Sequence, residues 1–346
     1  MEFLLDSHNH LIELARLGRR LPHMIVAIVM SFIFVLTAGI VGGIVALIVV
    51  FALSMITGEI TADTLVGLTQ AQDNQALAAV IMPSTALEQT IFLLFSFGPI
   101  FLLLWAWLAW VEKRPFWTMG LEKAGAVTKY LRGMLIGLVM FAASIGLSAA
   151  FGFIAVEQGG SQPRGLAALA GVLLVFLGWM VQGAAEEAIT RGWLLPVIGA
   201  RYKPVWGILI ASSVFMVFHL LNPNLSGIAL LNLFLFGIFT ALYALHEGGL
   251  WGVFSIHAVW NWAQGNLFGF EVSGGAVPGG TLFDLMEVGP DAVTGGPFGP
   301  EGGLSVTVVL IASCVIVWLL SRRRGDLNKP ETTDEAAISF LERQEQ

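Results

Sequence analysis

The feature that most constrains this chain is a series of apolar runs, each near the roughly 20 residues that a helix needs to cross a bilayer. Eight such runs occur, at roughly 24–56, 90–111, 133–156, 166–199, 204–221, 227–246, 250–268 and 304–320. Hydrophobic residues make up 56% of the 346 positions and charged residues 12%, too little polar surface to cover a water-soluble globule. The expected fold class is therefore all-α: a polytopic integral membrane bundle of about eight transmembrane helices with both termini cytoplasmic. The first and fourth runs exceed a perpendicular crossing, so tilt or protrusion is expected. Gly192 and Pro196 mark a bend in the fourth. A net charge of −7 argues against a nucleic-acid partner. The single cysteine, Cys314, excludes internal disulfides and Cys-based zinc sites. The first run is too long for a signal-peptide core and lacks a small-residue cleavage site, so no cleavable leader is expected.

Charge sets the expected orientation. The loops at 57–89, 157–165, 222–226 and 269–303 hold only Arg164 of the 17 basic residues, against ten acidic ones. Eight crossings with both ends inside place the remaining basic residues on the cytoplasmic side. The expected organisation is a cytoplasmic amphipathic segment at 1–23, helices 1–3 over 24–164, and a catalytic core of helices 4–7 over 165–268. A Gly-rich outer loop (269–303), a last span (304–320) and a polar cytoplasmic tail (321–346) follow. Leu4, Leu11, Leu14, Leu17 and Leu21 share one helical face, which predicts a helix on the inner membrane surface. The Gly- and Pro-rich composition of 269–303 predicts a flexible loop.

Ionisable groups inside spans carry the functional information, because each costs about 2.5–3.5 kcal/mol at mid-bilayer even on lenient scales. They are Glu186, Glu187 and Arg191 in the fourth run, His219 in the fifth and His257 in the seventh, with Asn261 one turn after His257. Glu187 and Arg191 are spaced to pair on one helix face, leaving Glu186 about 100° away. His257 and Asn261 share a face. The fourth and fifth runs turn around 201–203, and Glu186 and His219 are nearly equidistant from that turn, so they are expected at one depth. Blander roles exist for each: a structural ion pair for Glu187 and Arg191, a packing role for His219, interhelical hydrogen bonding for His257 and Asn261. His246 and the tryptophans at span ends, such as Trp110, Trp206, Trp251 and Trp318, suit the interface.

The run Glu186-Glu187-Ala188-Ile189-Thr190-Arg191 resembles the EExxxR motif of the CAAX protease and bacteriocin-processing (CPBP) family, the type II CAAX prenyl endopeptidases. Phe215 to His219 resembles its FxxxH motif, and His257 to Asn261 its HxxxN motif, in family order and on separate runs. Thr190 departs from the aromatic or aliphatic residue frequent there. The resemblance implies an intramembrane endopeptidase on a helical bundle, with Glu186 as general base and His219 holding the water. His257 and Asn261 would donate to the oxyanion, supported by Glu187 and Arg191. The implied partners are a peptide or protein substrate, prenylated in the eukaryotic enzymes of the family, and the lipid bilayer of a bacterial plasma membrane. No cofactor is expected, although Glu186, His219 and His257 also form a two-His, one-Glu set of the zinc type. Against zinc stand the amide beside His257 and the absence of an HExxH helix. A proton-coupled transporter and a non-catalytic immunity or binding protein are the competing classes. From the distance of His257 to the inner end of its run, about 12 Å, the cavity is expected to open to the cytoplasm.

Overall fold

The computed structural model of the chain describes residues 4–71, 82–158 and 162–327; from residue 328 onward the expected polar tail lies outside the described residues. Helices α1 (His10–Arg16), α2 (Met24–Thr57), α3 (Ala62–Ala71), α4 (Ala86–Glu112), α5 (Ala126–Ala150), α6 (Gly165–Arg201), α7 (Pro204–Phe218), α8 (Gly227–Glu247), α9 (Trp251–Trp262) and α10 (Leu304–Arg323) follow in chain order. Six of them, α2, α4, α5, α6, α8 and α10, are long and apolar enough to cross a membrane. The other two apolar runs give the shorter α7 and the buried α9, which continues as a π segment over Ala263–Phe268. The third run ends earlier than expected, at Ala150, and Ile154–Val156 forms a strand, β1, antiparallel to β2 (Leu285–Glu287).

The outer faces fit a lipid solvent. On α2, Ile25, Val29, Ile33, Leu36, Ile40, Ile44 and Ile48 are exposed, while Ala27, Phe34, Ala38, Ala46 and Val50 are buried. A helix that exposes such a stripe needs an apolar surrounding, so the chain is an integral membrane protein. Inside, α9 is enclosed by α5, α6 and α8. Small residues permit this. A Cβ on Gly133 or Gly137 of α5 would stand within 2.6 Å of the α9 backbone, and one on Gly183 of α6 would stand 2.8 Å from the Ala258 nitrogen.

Two expectations are corrected. The N-terminal helix is docked on the bundle instead of lying on the membrane surface. Leu11 and Ile12 of α1 are fully buried, α1 packs on the last turns of α6, and Asn9 Nδ2 donates to the Leu245 carbonyl at 3.0 Å. Its apolar face is satisfied by protein. The segment 269–303 is folded, with Phe270 and Phe298 buried. Asn232 Nδ2 of α8 donates to the carbonyls of Glu301 and Gly303 at 2.9 and 2.8 Å, and Asn222 Nδ2 donates to that of Ser273 at 3.2 Å. The glycines that suggest flexibility instead serve tight geometry: Gly295 and Gly299 have φ of 112° and 92°, a region L-residues rarely adopt.

Candidate active site

The site begins with a widening of α6. Directly after Glu187 the helix becomes a π segment over Ala188–Leu194, in which the Leu195 N–H reaches back to the Thr190 carbonyl. Pro196 follows; it has no N–H to donate to Gly192 and its ring crowds that carbonyl, which a wider turn accommodates. The bend expected at Gly192 and Pro196 is thus a π turn. Just before it, two consecutive carboxylates, about 100° apart around the helix, meet different partners.

Glu187 is fully buried. Its Oε1 accepts from Arg191 Nη1 at 3.2 Å and from His257 Nδ1 at 2.9 Å. The ion pair expected on one helix face therefore also holds the imidazole of α9. Arg191 stacks over Phe215 with its guanidinium carbon 4.5 Å from the ring centroid, a cation–π contact strengthened by burial. Its Nη1 also donates to Thr190 Oγ1 at 2.6 Å, and Thr190 in turn donates to the Glu186 carbonyl. The threonine that departs from the family pattern thus ties the motif's arginine to its backbone.

Glu186 faces the other way. Its Oε1 accepts from Gln182 Nε2 at 2.7 Å; its Oε2 is buried without a hydrogen-bond partner and stands 3.8 Å from His257 Nε2. Gln182 Oε1 accepts from Asn261 Nδ2 at 2.9 Å. Antiparallel α6 and α9 thus match two i, i+4 pairs, Gln182 with Asn261 and Glu186 with His257. Gln182 escapes sequence reasoning because a lone amide carries no distinctive signal; its spacing of four from Glu186 was the available clue.

His219 caps α7, and its Nδ1 lies 2.8 Å from the Phe215 carbonyl. A carbonyl only accepts, so Nδ1 carries the proton and Nε2 is left as the free ring nitrogen. The same reasoning puts a proton on His257 Nδ1, opposite the Glu187 carboxylate. Phe215 and Phe236 pack edge-on against the His257 ring, at 5.9 and 5.1 Å between centroids. Glu186 and His219 do share one cavity, as their matched depth predicted, but the imidazole within reach of Glu186 is His257.

That cavity has a volume of about 310 Å³. Gln182, Glu186, His219, His257 and Asn261 form its polar wall; Val35, Leu93, Phe97 and Ile100 of α2 and α4 and Leu310 of α10 form an apolar one. Ser273 and Glu301, from the segment expected to be a flexible loop, complete its lining, and Ser273 Oγ donates to Glu301 Oε1 at 2.6 Å. Burial pushes the Glu301 carboxyl above the ordinary range, partly offset by the Ser273 hydroxyl and by His219. A cytoplasmic opening is the expectation; the lining includes Asn222, Val272, Ser273 and Glu301, all on the side that the charge argument calls outer. Counting residues along α9 fixed the depth of His257 but carried no information about which way the lining extends from it. Among the described residues, no group of three or more His, Cys, Asp or Glu side chains is gathered as metal ligands.

Residues 167–263 match the family model described as Type II CAAX prenyl endopeptidase Rce1-like. The matched stretch spans α6 to α9 and all three motifs, which bears out the family resemblance. The match supports a CAAX-type intramembrane endopeptidase, acting on a peptide or protein substrate. It does not favour the transporter or the immunity protein. No curated protein matches the chain, and no solved structure does.

Proposed function

We propose that the chain hydrolyses a peptide bond of a membrane-borne substrate with a water activated by Glu186, without a metal, and that residues 165–268 form the catalytic core. The observation that carries this reading is the asymmetry of Glu186: one oxygen is fixed by Gln182, while the other is buried, unpartnered and turned into the cavity. A buried carboxylate oxygen without a donor is a costly arrangement that a water resolves, and a cavity of this size has room for it.

In the proposed cycle Glu186 takes a proton as the water oxygen bonds to the scissile carbonyl carbon, while His219 Nε2 accepts a hydrogen bond from the O–H that stays on that oxygen. The carbonyl oxygen becomes an oxyanion facing His257 and Asn261. Asn261 has one N–H committed to Gln182 and a second to offer. His257 donates from Nε2 only as imidazolium, since its other nitrogen already donates to Glu187. Two fixed donors in a site with little water are worth about 3–4 kcal/mol each to the transition state. The intermediate then collapses as the C–N bond breaks, and the proton on Glu186 passes to the leaving amine.

The amides support the metal-free reading: Asn261 and Gln182 occupy the wall beside His257, where they donate well and ligate zinc poorly. The test is a mass-spectrometric comparison of membrane peptides from cells making the wild-type protein or Glu186→Gln. Peptides that depend on Glu186 are expected. An identical peptide set from both would refute the proposal.

A further inference from the structure

We infer that the cavity is entered from the end of the bundle that carries the 269–303 segment, the non-cytoplasmic end by charge, so that the substrate is a membrane-anchored polypeptide whose scissile segment is presented outside the cytoplasm. The substrate part of this statement rests on the peptidase reading above; the access part stands on geometry alone.

The first argument is the direction of the lining along each helix. Helix α6 runs away from the 269–303 end, and its lining residues Trp179 and Gln182 precede Glu186, the last one on that helix. Helix α9 runs the opposite way, and Trp260 and Asn261 follow His257, the first. On α7 the lining continues past the helix end to Asn222, and on α10 it begins at Val306, within the first turn. In each case the cavity extends from the level of Glu186 and His257 toward the same end. Glu186 and His257 form its floor.

The second argument is what lies beneath that floor. Glu187, Arg191, Trp193 and Leu250 are fully buried. Farther down, Glu112 accepts from Trp107 Nε1 at 2.9 Å and from Arg114 Nε at 2.7 Å, and Trp193 Nε1 donates to it as well. Helix α1 closes the end, with Leu11 and Ile12 fully buried. Helix, ion pair and indoles form a plug at the end where the basic residues lie. The 269–303 side presents Ser273 and Glu301 directly to the cavity.

The third argument is charge. Arg164 is the one basic residue in the loops of the open end, while Arg16, Arg19, Arg20, Lys123, Arg201 and Lys203 belong to the plugged end. The positive-inside rule puts the plugged end in the cytoplasm. The apolar wall from α2, α4 and α10 suits a segment arriving with its membrane anchor.

The test uses single cysteines in a Cys314→Ala background, expressed in bacterial cells and treated with a membrane-impermeant maleimide before or after permeabilisation. Ser273→Cys probes the cavity, with Asn222→Cys as a second probe should the first fail to fold. Phe283→Cys and Tyr202→Cys, at positions 55% and 39% exposed at opposite ends, report sidedness and folding. The inference expects Phe283→Cys and the cavity cysteine to label in intact cells, and Tyr202→Cys only after permeabilisation. A cavity cysteine that labels only together with Tyr202→Cys, or stays unreactive while Phe283→Cys labels, overturns it, as does labelling of Phe283→Cys only after permeabilisation. For the substrate, Glu186-dependent peptides should appear in the extracytoplasmic fraction, and their recovery in the cytosol would refute that part. If no peptide depends on Glu186, the peptidase reading fails while the labelling result stands.

Discussion

Replacing Glu186 and Glu187 separately by glutamine separates the chemical carboxylate from the structural one. Glu187 and Arg191 are both 0% exposed at the side chain, and the Nε and Nη2 of Arg191 already lack hydrogen-bond partners. In Glu187→Gln the guanidinium loses its charge partner and His257 loses the carboxylate that orients it. Removing one member of a buried ion pair costs about 3–5 kcal/mol. At roughly 2–4 °C per kcal/mol for a large domain, Tm in detergent should fall by roughly 6–20 °C. Glu186→Gln differs in kind. The glutamine carbonyl still accepts from Gln182, and the replaced Oε2 had no partner to lose. Stability should change by less than about 1 kcal/mol, while turnover of a Glu186-dependent peptide falls by at least ~10²–10⁴-fold, the range for losing a general base. Tryptophan fluorescence melts and peptide turnover on the same preparations read both effects. A Glu186→Gln protein that melts as low as Glu187→Gln, or that keeps its turnover, would refute this division of labour.

Asn261→Ala should lower kcat by ~10²–10³-fold with little change in KM, as for the loss of one oxyanion donor; a raised KM at unchanged kcat would make Asn261 a substrate-binding residue instead. Elemental analysis of active protein should find well below one zinc per chain, with turnover insensitive to chelators. Stoichiometric zinc, with activity lost on chelation and restored by the metal, would turn Glu186, His219 and His257 into ligands. Glu287 on β2 is held protonated by burial and by Glu271 and Asp291 nearby, its pKa pushed up to about 8 from 4.5. Between those values the unfolded chain ionises and the folded one does not, so stability should fall as pH rises from about 5 to 8 and level off above. Glu287→Gln should flatten that slope in thermal melts, and an unchanged slope would show that Glu287 does not cause it.

The site was legible because its charges stand in apolar runs, where each is conspicuous: Glu186, Glu187, Arg191, His219 and His257 needed no structure to be singled out. Spacing gave the Glu187–Arg191 pair and the shared face of His257 and Asn261. What spacing along single helices leaves open is which helix faces which. The approach of α6 to α9 depends on Gly183 meeting the Ala258 backbone, a long-range contact, and it decides that Glu186 is nearer His257 than His219. Gln182 and Thr190 act through neighbours and have no signal of their own. The 269–303 segment misleads because glycine serves flexible linkers and tight turns alike; only partners elsewhere, such as Asn232, distinguish them. For α1, an apolar face looks the same whether lipid or protein will cover it.

The brevity of α7 has a further consequence for the bilayer itself. Its 15 residues give about 22 Å of helix, against a hydrocarbon thickness near 30 Å. Beyond it Leu220 and Leu221 are exposed in a turn, so beside His219 the membrane meets an element too short to span it. Lipid relieves such mismatch by thinning, which draws the headgroup layer down toward the imidazole. Turnover of a Glu186-dependent peptide is therefore expected to change with acyl-chain length when the protein is reconstituted into bilayers of different thickness, and an unchanged rate across them would refute that link.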